Sequence, residues 1–327
     1  MSSGKLRAAA SVAMRWNYRV WGFGEAIALR GLLRAGDALG DLTPFGFVHG
    51  IMRSWLGRGV ARSNEDHVGA GRELIELYKR THDVQFLDAA KKLAALNASF
   101  PTGPNGERYH RGDTPGWRWQ IWVDCMDVDG PFLAALAHAT GDNAYFEQAV
   151  GELLGYARTL QMDNGLLFHG FERHCGRNGE LWARGNGWAL MGLVDTLILL
   201  PRSHPAWSEL QQRTVALVDA LAHRQDPSGM WHTVINDGET YLESTLATMA
   251  AYALREAFEH GVLDSSRYEE MESKARAAMH SQVKEGTLQL VSDATPVGAR
   301  AVYASRPFGV FPWGQGPLLL ALCQEVE

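Results

Sequence analysis

The stretch WRWQIWVDCMDVDGPFLAAL, residues 117–136, places Asp124, Asp127 and Asp129 within six positions at the head of an apolar run. Three carboxylates this close cannot share one environment. At about 100° per residue on a helix, Asp124 and Asp127 fall on one face and Asp129 turns away by about 140°. A carboxyl group crowded by a like charge, or buried against an indole such as Trp122, keeps its proton near neutral pH, which is what a general acid needs. The competing reading is plainer: acids at a helix N-terminus, solvated and favoured by the helix dipole.

A second group lies in LWARGNGWALMGLVDTL, where Arg184 and Trp188 are four residues apart and project together from the first turn of a helix. An arginine beside an indole can hold a sugar carboxylate while the ring stacks on the sugar face. Gly185 and Gly187 allow close approach, either of a ligand or of a neighbouring helix. His169, in DNGLLFHG, is the third candidate, and its recurrence beside His110 and His232 in matching loops favours a cavity-facing role. No pair of these histidines has ligand spacing, so no metal is expected. Seven of the eleven tryptophans (Trp117, Trp119, Trp122, Trp182, Trp188, Trp231 and Trp313) fall in or beside these loops. Rings at a cavity mouth point to carbohydrate, although rings can also plug the end of a core.

The elements that must carry these residues follow from an internal repeat. Gly106, Gly165, Gly229 and Gly286 head the loops PNGERYH, DNGLLFHG, PSGMWHTV and KEGTLQLV and lie 59, 64 and 57 residues apart. Capped helix starts recur at Asp83 and Asp142, with weaker echoes at Ser203–Trp207 and Asp264–Tyr268. Apolar residues keep helical spacing, as in Leu74, Leu77 and Tyr78 and in Leu190, Leu193 and Leu197. A unit of about 60 residues is longer than the usual 20–50 of open solenoids and suits a helical hairpin plus a loop. About six hairpins use the whole chain. The expectation is an all-α toroid, an (α/α)6 barrel spanning residues 1–327 as one domain, with an open helical solenoid as the alternative.

Composition agrees: 46% hydrophobic and 21% charged residues over 327 positions can bury a large core. The net charge of −6 is not gathered into blocks, so neither nucleic acid nor a membrane surface is an expected partner. The first residues lack the apolar core of a leader, and LMGLVDTLILL is too short to span a bilayer. A cytoplasmic location is therefore expected. Cys125, Cys175 and Cys323 are odd in number and without metal or redox spacing, and are read as reduced.

Taken in order, WVDCMDVDGPFLAAL, TGDNAYFEQA, DNGLLFHG, WARGNGW and YLESTLATMAAYAL resemble glycoside hydrolase family 105, the unsaturated rhamnogalacturonyl and related unsaturated glucuronyl hydrolases, over roughly residues 60–320. The resemblance implies an (α/α)6 barrel that removes a terminal 4,5-unsaturated uronic acid from oligosaccharides left by polysaccharide lyases. It implies that Asp124, the acid of the WxD motif, is the catalytic acid and base, and that Asp66 is a second important acid. Trp122, His169, Arg184 and Trp188 become substrate-binding candidates, and no metal or organic cofactor is implied. Asp127 and Val128 stand where the family usually has an aromatic and a methionine, which predicts an altered pocket for the next sugar. The alternatives are an inverting glycosidase using Asp66 and Asp124, a sugar epimerase using His169 and His232, and a noncatalytic scaffold. The sugar after the uronate and the oligomeric state are left open.

Overall fold

The computed structural model describes residues 2–19, 22–59, 68–112 and 114–326, so Asp66 lies outside the described residues. Among these are thirteen helices: α1 (Ser2–Ala13), α2 (Phe23–Leu39), α3 (Leu42–Gly57), α4 (Gly71–Thr81), α5 (Val84–Ala98), α6 (Cys125–Thr140), α7 (Ala144–Leu160), α8 (Ala183–Leu199), α9 (Trp207–Ala222), α10 (Ser244–Glu259), α11 (Ser265–Ser281), α12 (Arg300–Ala304) and α13 (Pro312–Cys323). Apart from the short α12, they alternate between an outer and an inner layer. The inner helices α2, α4, α6, α8, α10 and α13 each pack on the next, and α13 packs back on α2. That last contact closes the ring and excludes the open solenoid. The fold is an (α/α)6 barrel.

Composition of each layer follows from its place. In α6 and α8 nearly every residue is buried, as an inner helix enclosed on all sides requires, whereas α5 and α11 bury one stripe and expose the other. Outer helices start on aspartate caps. Asp83 accepts from Gln85 N at 3.0 Å, Asp142 from Ala144 N at 3.0 Å and Asp264 from Ser266 N at 3.0 Å. At the other weaker echo, Ser203–Trp207, His204 Nδ1 accepts from Ala206 N at 3.2 Å instead.

The four repeat glycines all have positive φ, between 80° and 96°. Their turns seat against the outer helix of the following hairpin. A Cβ on Gly165 would lie 2.0 Å from the carbonyl oxygen of Ala216 on α9, and one on Gly229 would lie 2.2 Å from that of Lys274 on α11. One on Gly286 would lie 2.5 Å from the backbone of Ala8 on α1, so the last loop meets the first helix. Short strands the periodicity did not announce rim the barrel. β1 (Gln120–Trp122), β2 (Gly170–Glu172) and β3 (Gly176–Arg177) form an antiparallel sheet with Trp122 opposite Gly170. No helix among the described residues is long and apolar enough to cross a membrane.

Candidate active site

The loops at one mouth of the barrel surround a cavity of about 660 Å³. Asp124 lies in its lining, directly before the first turn of α6. Its carboxylate caps none of the α6 amides, and it is 1% exposed, so the reading of a solvated helix cap fails. The three acids of the WVDCMDVD stretch point to three places. Asp129 is buried toward α7, where Tyr156 Oη donates to it at 2.7 Å. Asp127 faces a separate small hollow between α2, α4 and α6, with Arg30, Arg72 and Glu73. Neither Asp127 nor Val128 lines the main cavity, which corrects the expectation that they reshape the pocket for the next sugar.

Pairing of β1 with β2 brings His169 behind Asp124. Val123 N donates to the His169 carbonyl at 2.9 Å, and His169 Nε2 lies 3.3 Å from Asp124 Oδ2. The contact is long for a hydrogen bond, as such contacts often are before substrate binds. Gly170 is required here, because a Cβ would lie 2.6 Å from Val297. His169 is fully buried between Trp182 and Trp122, at ring distances of 4.3 and 5.3 Å, and does not reach the cavity wall. It is therefore a partner of Asp124 rather than the substrate contact expected from its loop.

The tautomer of His169 follows from Tyr303. Its hydroxyl accepts from Asn178 Nδ2 at 2.9 Å and from Gly298 N at 3.3 Å, so its own proton is left for His169 Nδ1 at 2.7 Å. Burial, the largest influence, lowers the His169 pKa, with Arg184 and His110 adding to the effect and Asp124 opposing it. A neutral imidazole that accepts at Nδ1 carries its hydrogen on Nε2, facing Asp124.

Arg184 and Trp188 both line the cavity, as their four-residue spacing predicts. The guanidinium, however, is already committed. Nη1 donates to Glu243 Oε1 at 2.6 Å and to the Ser292 carbonyl at 2.8 Å, and Nη2 to the Asp293 carbonyl at 2.8 Å and Thr295 Oγ1 at 3.1 Å. It also lies 4.6 Å from the centre of the Trp182 ring. Arg184 thus ties the 292–295 loop to α8 and α10 and has at most one N–H, on Nε, to offer a ligand. Gly185 and Gly187 serve helix packing, since Cβ atoms there would meet Val123 and Met249. Asn186 pins the histidine loop to α8 by accepting from Leu167 N and donating to its carbonyl, both at 2.9 Å.

Five of the seven predicted tryptophans line the cavity: Trp117, Trp122, Trp182, Trp188 and Trp313. Trp231 is a core residue whose Nε1 donates to the Leu221 carbonyl, and Trp119 packs on Tyr109. His110 stacks on Trp122 at 4.4 Å, while His232 sits in a separate hairpin with Nδ1 against the Thr240 carbonyl. His169 and His232 therefore do not form a cavity pair, which removes the basis for an epimerase. Trp16 and Arg19, from the turn between α1 and α2, and Glu25, in the first turn of α2, also line the cavity. In the sequence that segment, WNYRVWGFG, reads as part of a first hairpin with no role in the site, and its signal is the aromatic and arginine density of RWNYR. Among the described residues no cluster of His, Cys, Asp or Glu could hold a metal ion.

The model of Glycosyl Hydrolase Family 88 matches residues 7–327. The chain belongs to Glycosyl Hydrolase Family 88. It is a glycosidase. A relative, the unsaturated rhamnogalacturonyl hydrolase YesR of Bacillus subtilis, is 26% identical over 316 residues, covering 94% of this chain and 90% of the relative. A solved structure from Klebsiella pneumoniae, described as a possible family 105 member, superposes with a TM-score of 0.90 at 22% identity, over 99% of this chain and 92% of that one. The unsaturated glucuronyl hydrolase of Bacillus sp. GL1 superposes with a TM-score of 0.71 at 18% identity, over 99% and 97%. These neighbours bear out the kinship read from the motifs and the barrel.

Proposed function

We propose that this family 88 enzyme removes a 4,5-unsaturated uronic acid from the non-reducing end of lyase-generated oligosaccharides of the rhamnogalacturonan or ulvan type, by hydrating the double bond. The observation that carries the reading is the His169–Asp124 contact at the floor of an aromatic cavity. Nε2 lies 3.3 Å from Oδ2, so one oxygen of Asp124 faces the imidazole and the other serves the substrate. The named relative acting on unsaturated rhamnogalacturonyl units supports the substrate class.

In this scheme protonated Asp124 gives its proton to C4 of the vinyl ether. The cation left at C5 is stabilised by the ring oxygen. Asp124, now a carboxylate, takes a proton from water as the water oxygen bonds to C5. The resulting hemiketal opens, and the exposed C1 hemiacetal releases the aglycone with its proton. One residue is acid and then base, so a neighbour that steadies its anion without transferring a proton suits both halves. Trp122 and Trp188 line the space the sugar ring enters, and Arg184 contributes positive charge and at most one N–H. The chemistry needs one carboxylate, whereas inverting cleavage of a saturated glycoside needs two set about 6.5–9.5 Å apart.

The test is the decay of the conjugated uronate's ultraviolet absorbance during incubation with lyase digests of pectin, ulvan and chondroitin. Decay with a pectin or ulvan digest is expected. Persistence of the chromophore in all three, with release of sugars from saturated glycosides, overturns the proposal.

A further inference from the structure

A second hollow of about 290 Å³ adjoins the catalytic cavity. It is bounded by Val12, Arg15, Trp16 and Tyr18 at the end of α1 and by Val310 and Phe311 at the entry to α13. Trp16 and Phe311 line both spaces. Their rings stand edge to face at 6.2 Å, and Phe311 stacks on Trp313, a wall of the catalytic cavity, at 4.7 Å with planes 7° apart. Aromatic surface therefore continues from the cavity into the hollow, and ring faces of this kind accept the C–H faces of pyranoses.

Two polar features mark the route. Glu25, 3% exposed and in the cavity lining, accepts from Trp16 Nε1 through Oε1 at 3.0 Å and has Arg19 Nε 3.5 Å from the same oxygen, while its Oε2 has no hydrogen-bond donor among the described residues. Gly22 leaves that oxygen room, for a Cβ there would lie 2.2 Å from it. A buried acceptor without a donor calls for one, and a sugar hydroxyl crossing from one space to the other supplies it. Beyond the Trp16–Phe311 wall, the exposed Arg15 has no acidic partner among the described residues, and Val310 keeps 47% of its surface uncovered.

We infer that the hollow is a distal subsite for the reducing-side continuation of an acidic oligosaccharide, with Glu25 receiving a hydroxyl at the threshold and Arg15 pairing with the next carboxylate along the chain. The inference rests on the proposed function and adds substrate length and charge to it. A lyase product of an alternating uronate polymer carries its next uronate two residues past the unsaturated one, so a tetrasaccharide presents that acid and a disaccharide does not.

The experiment compares kcat/KM for the unsaturated disaccharide and tetrasaccharide of one digest, using the wild type, Arg15→Glu and Val310→Asp. Both positions are exposed and outside the catalytic cavity. The wild type should favour the tetrasaccharide by about fivefold through KM, the scale of one solvent-exposed ion pair. The preference should shrink at high salt. Arg15→Glu should abolish it and Val310→Asp should weaken it, both with unchanged disaccharide turnover. Equal preference in wild type and Arg15→Glu, no preference in the wild type, or an equal fall for both lengths overturns the inference. Failure of the underlying function would look different: no unsaturated oligosaccharide of any length would be consumed.

Discussion

Replacing Tyr303 by phenylalanine removes one oxygen that lies outside the catalytic cavity yet sets the chemistry inside it. The hydroxyl's proton goes to His169 Nδ1 at 2.7 Å because its lone pairs are taken by Asn178 and Gly298. Without it, His169 has two choices. Nδ1 can stay an acceptor buried without a donor, which costs about 1–3 kcal/mol. Alternatively the imidazole moves its hydrogen to Nδ1 and turns the lone pair of Nε2 toward Asp124 Oδ2, 3.3 Å away. In the second case Asp124 loses its neighbouring donor, and a hydrogen bond to a charged group contributes about 1.5–3 kcal/mol, equivalent to roughly ten- to hundredfold in rate. The loss should fall on kcat, since Tyr303 does not line the cavity and has no part in holding the sugar. Initial rates of chromophore decay across substrate concentrations separate the two parameters. A Tyr303→Phe enzyme with wild-type kcat, or one with raised KM and unchanged kcat, refutes the tautomer argument.

Four further outcomes are expected. Glu243→Gln strands the Arg184 charge at a site where both side chains are 2% exposed or less, and should cost about 3–5 kcal/mol, read as a large fall in Tm. Gly165→Ala places a Cβ against the Ala216 carbonyl at a φ of 94° and should destabilise by about 2 kcal/mol or more in urea unfolding. Burial raises Asp127 to about 6 and Glu73 to about 8. Carboxyl groups raised in the fold stabilise it fully below their unfolded values near 4 and lose that contribution as pH climbs through the folded ones. Tm should therefore decline between about pH 4 and pH 8, and Asp127→Asn with Glu73→Gln should flatten the decline. Asp195, held down to about 2 chiefly by Arg72 and Arg30 against the effect of burial, works in the opposite sense. Its contribution is present above about pH 4 and is lost as the pH falls through about 2, so Asp195→Asn should lower Tm at neutral pH while flattening the acid limb of the melting profile.

The barrel was legible because its signals are local and repeated: four turn glycines, aspartate caps and apolar residues at helical spacing. Asp124, Trp122 and Trp188 were legible for the same reason, since a helix start and a four-residue spacing place them without knowledge of the rest. What escaped depends on contacts between distant segments. The acceptors that occupy Arg184 arrive from positions 59 to 111 residues later, and the hydroxyl that orders His169 from 134 residues later. Asp127 was placed beside Asp124 by helical phase, but Arg30 and Arg72, from α2 and α4, draw the small hollow it faces away from the cavity. Trp16, after α1, and Glu25, in the first turn of α2, have no repeat to flag them and become part of the site only when the ring closes.

The most direct measurement offers the enzyme one lyase-generated oligosaccharide in two forms, with its terminal double bond intact and with that bond hydrogenated. The account predicts release of the terminal sugar from the unsaturated form alone, in step with loss of the chromophore, and no release from either form by a folded Asp124→Asn variant. Cleavage of the hydrogenated form, or wild-type turnover by Asp124→Asn, contradicts it.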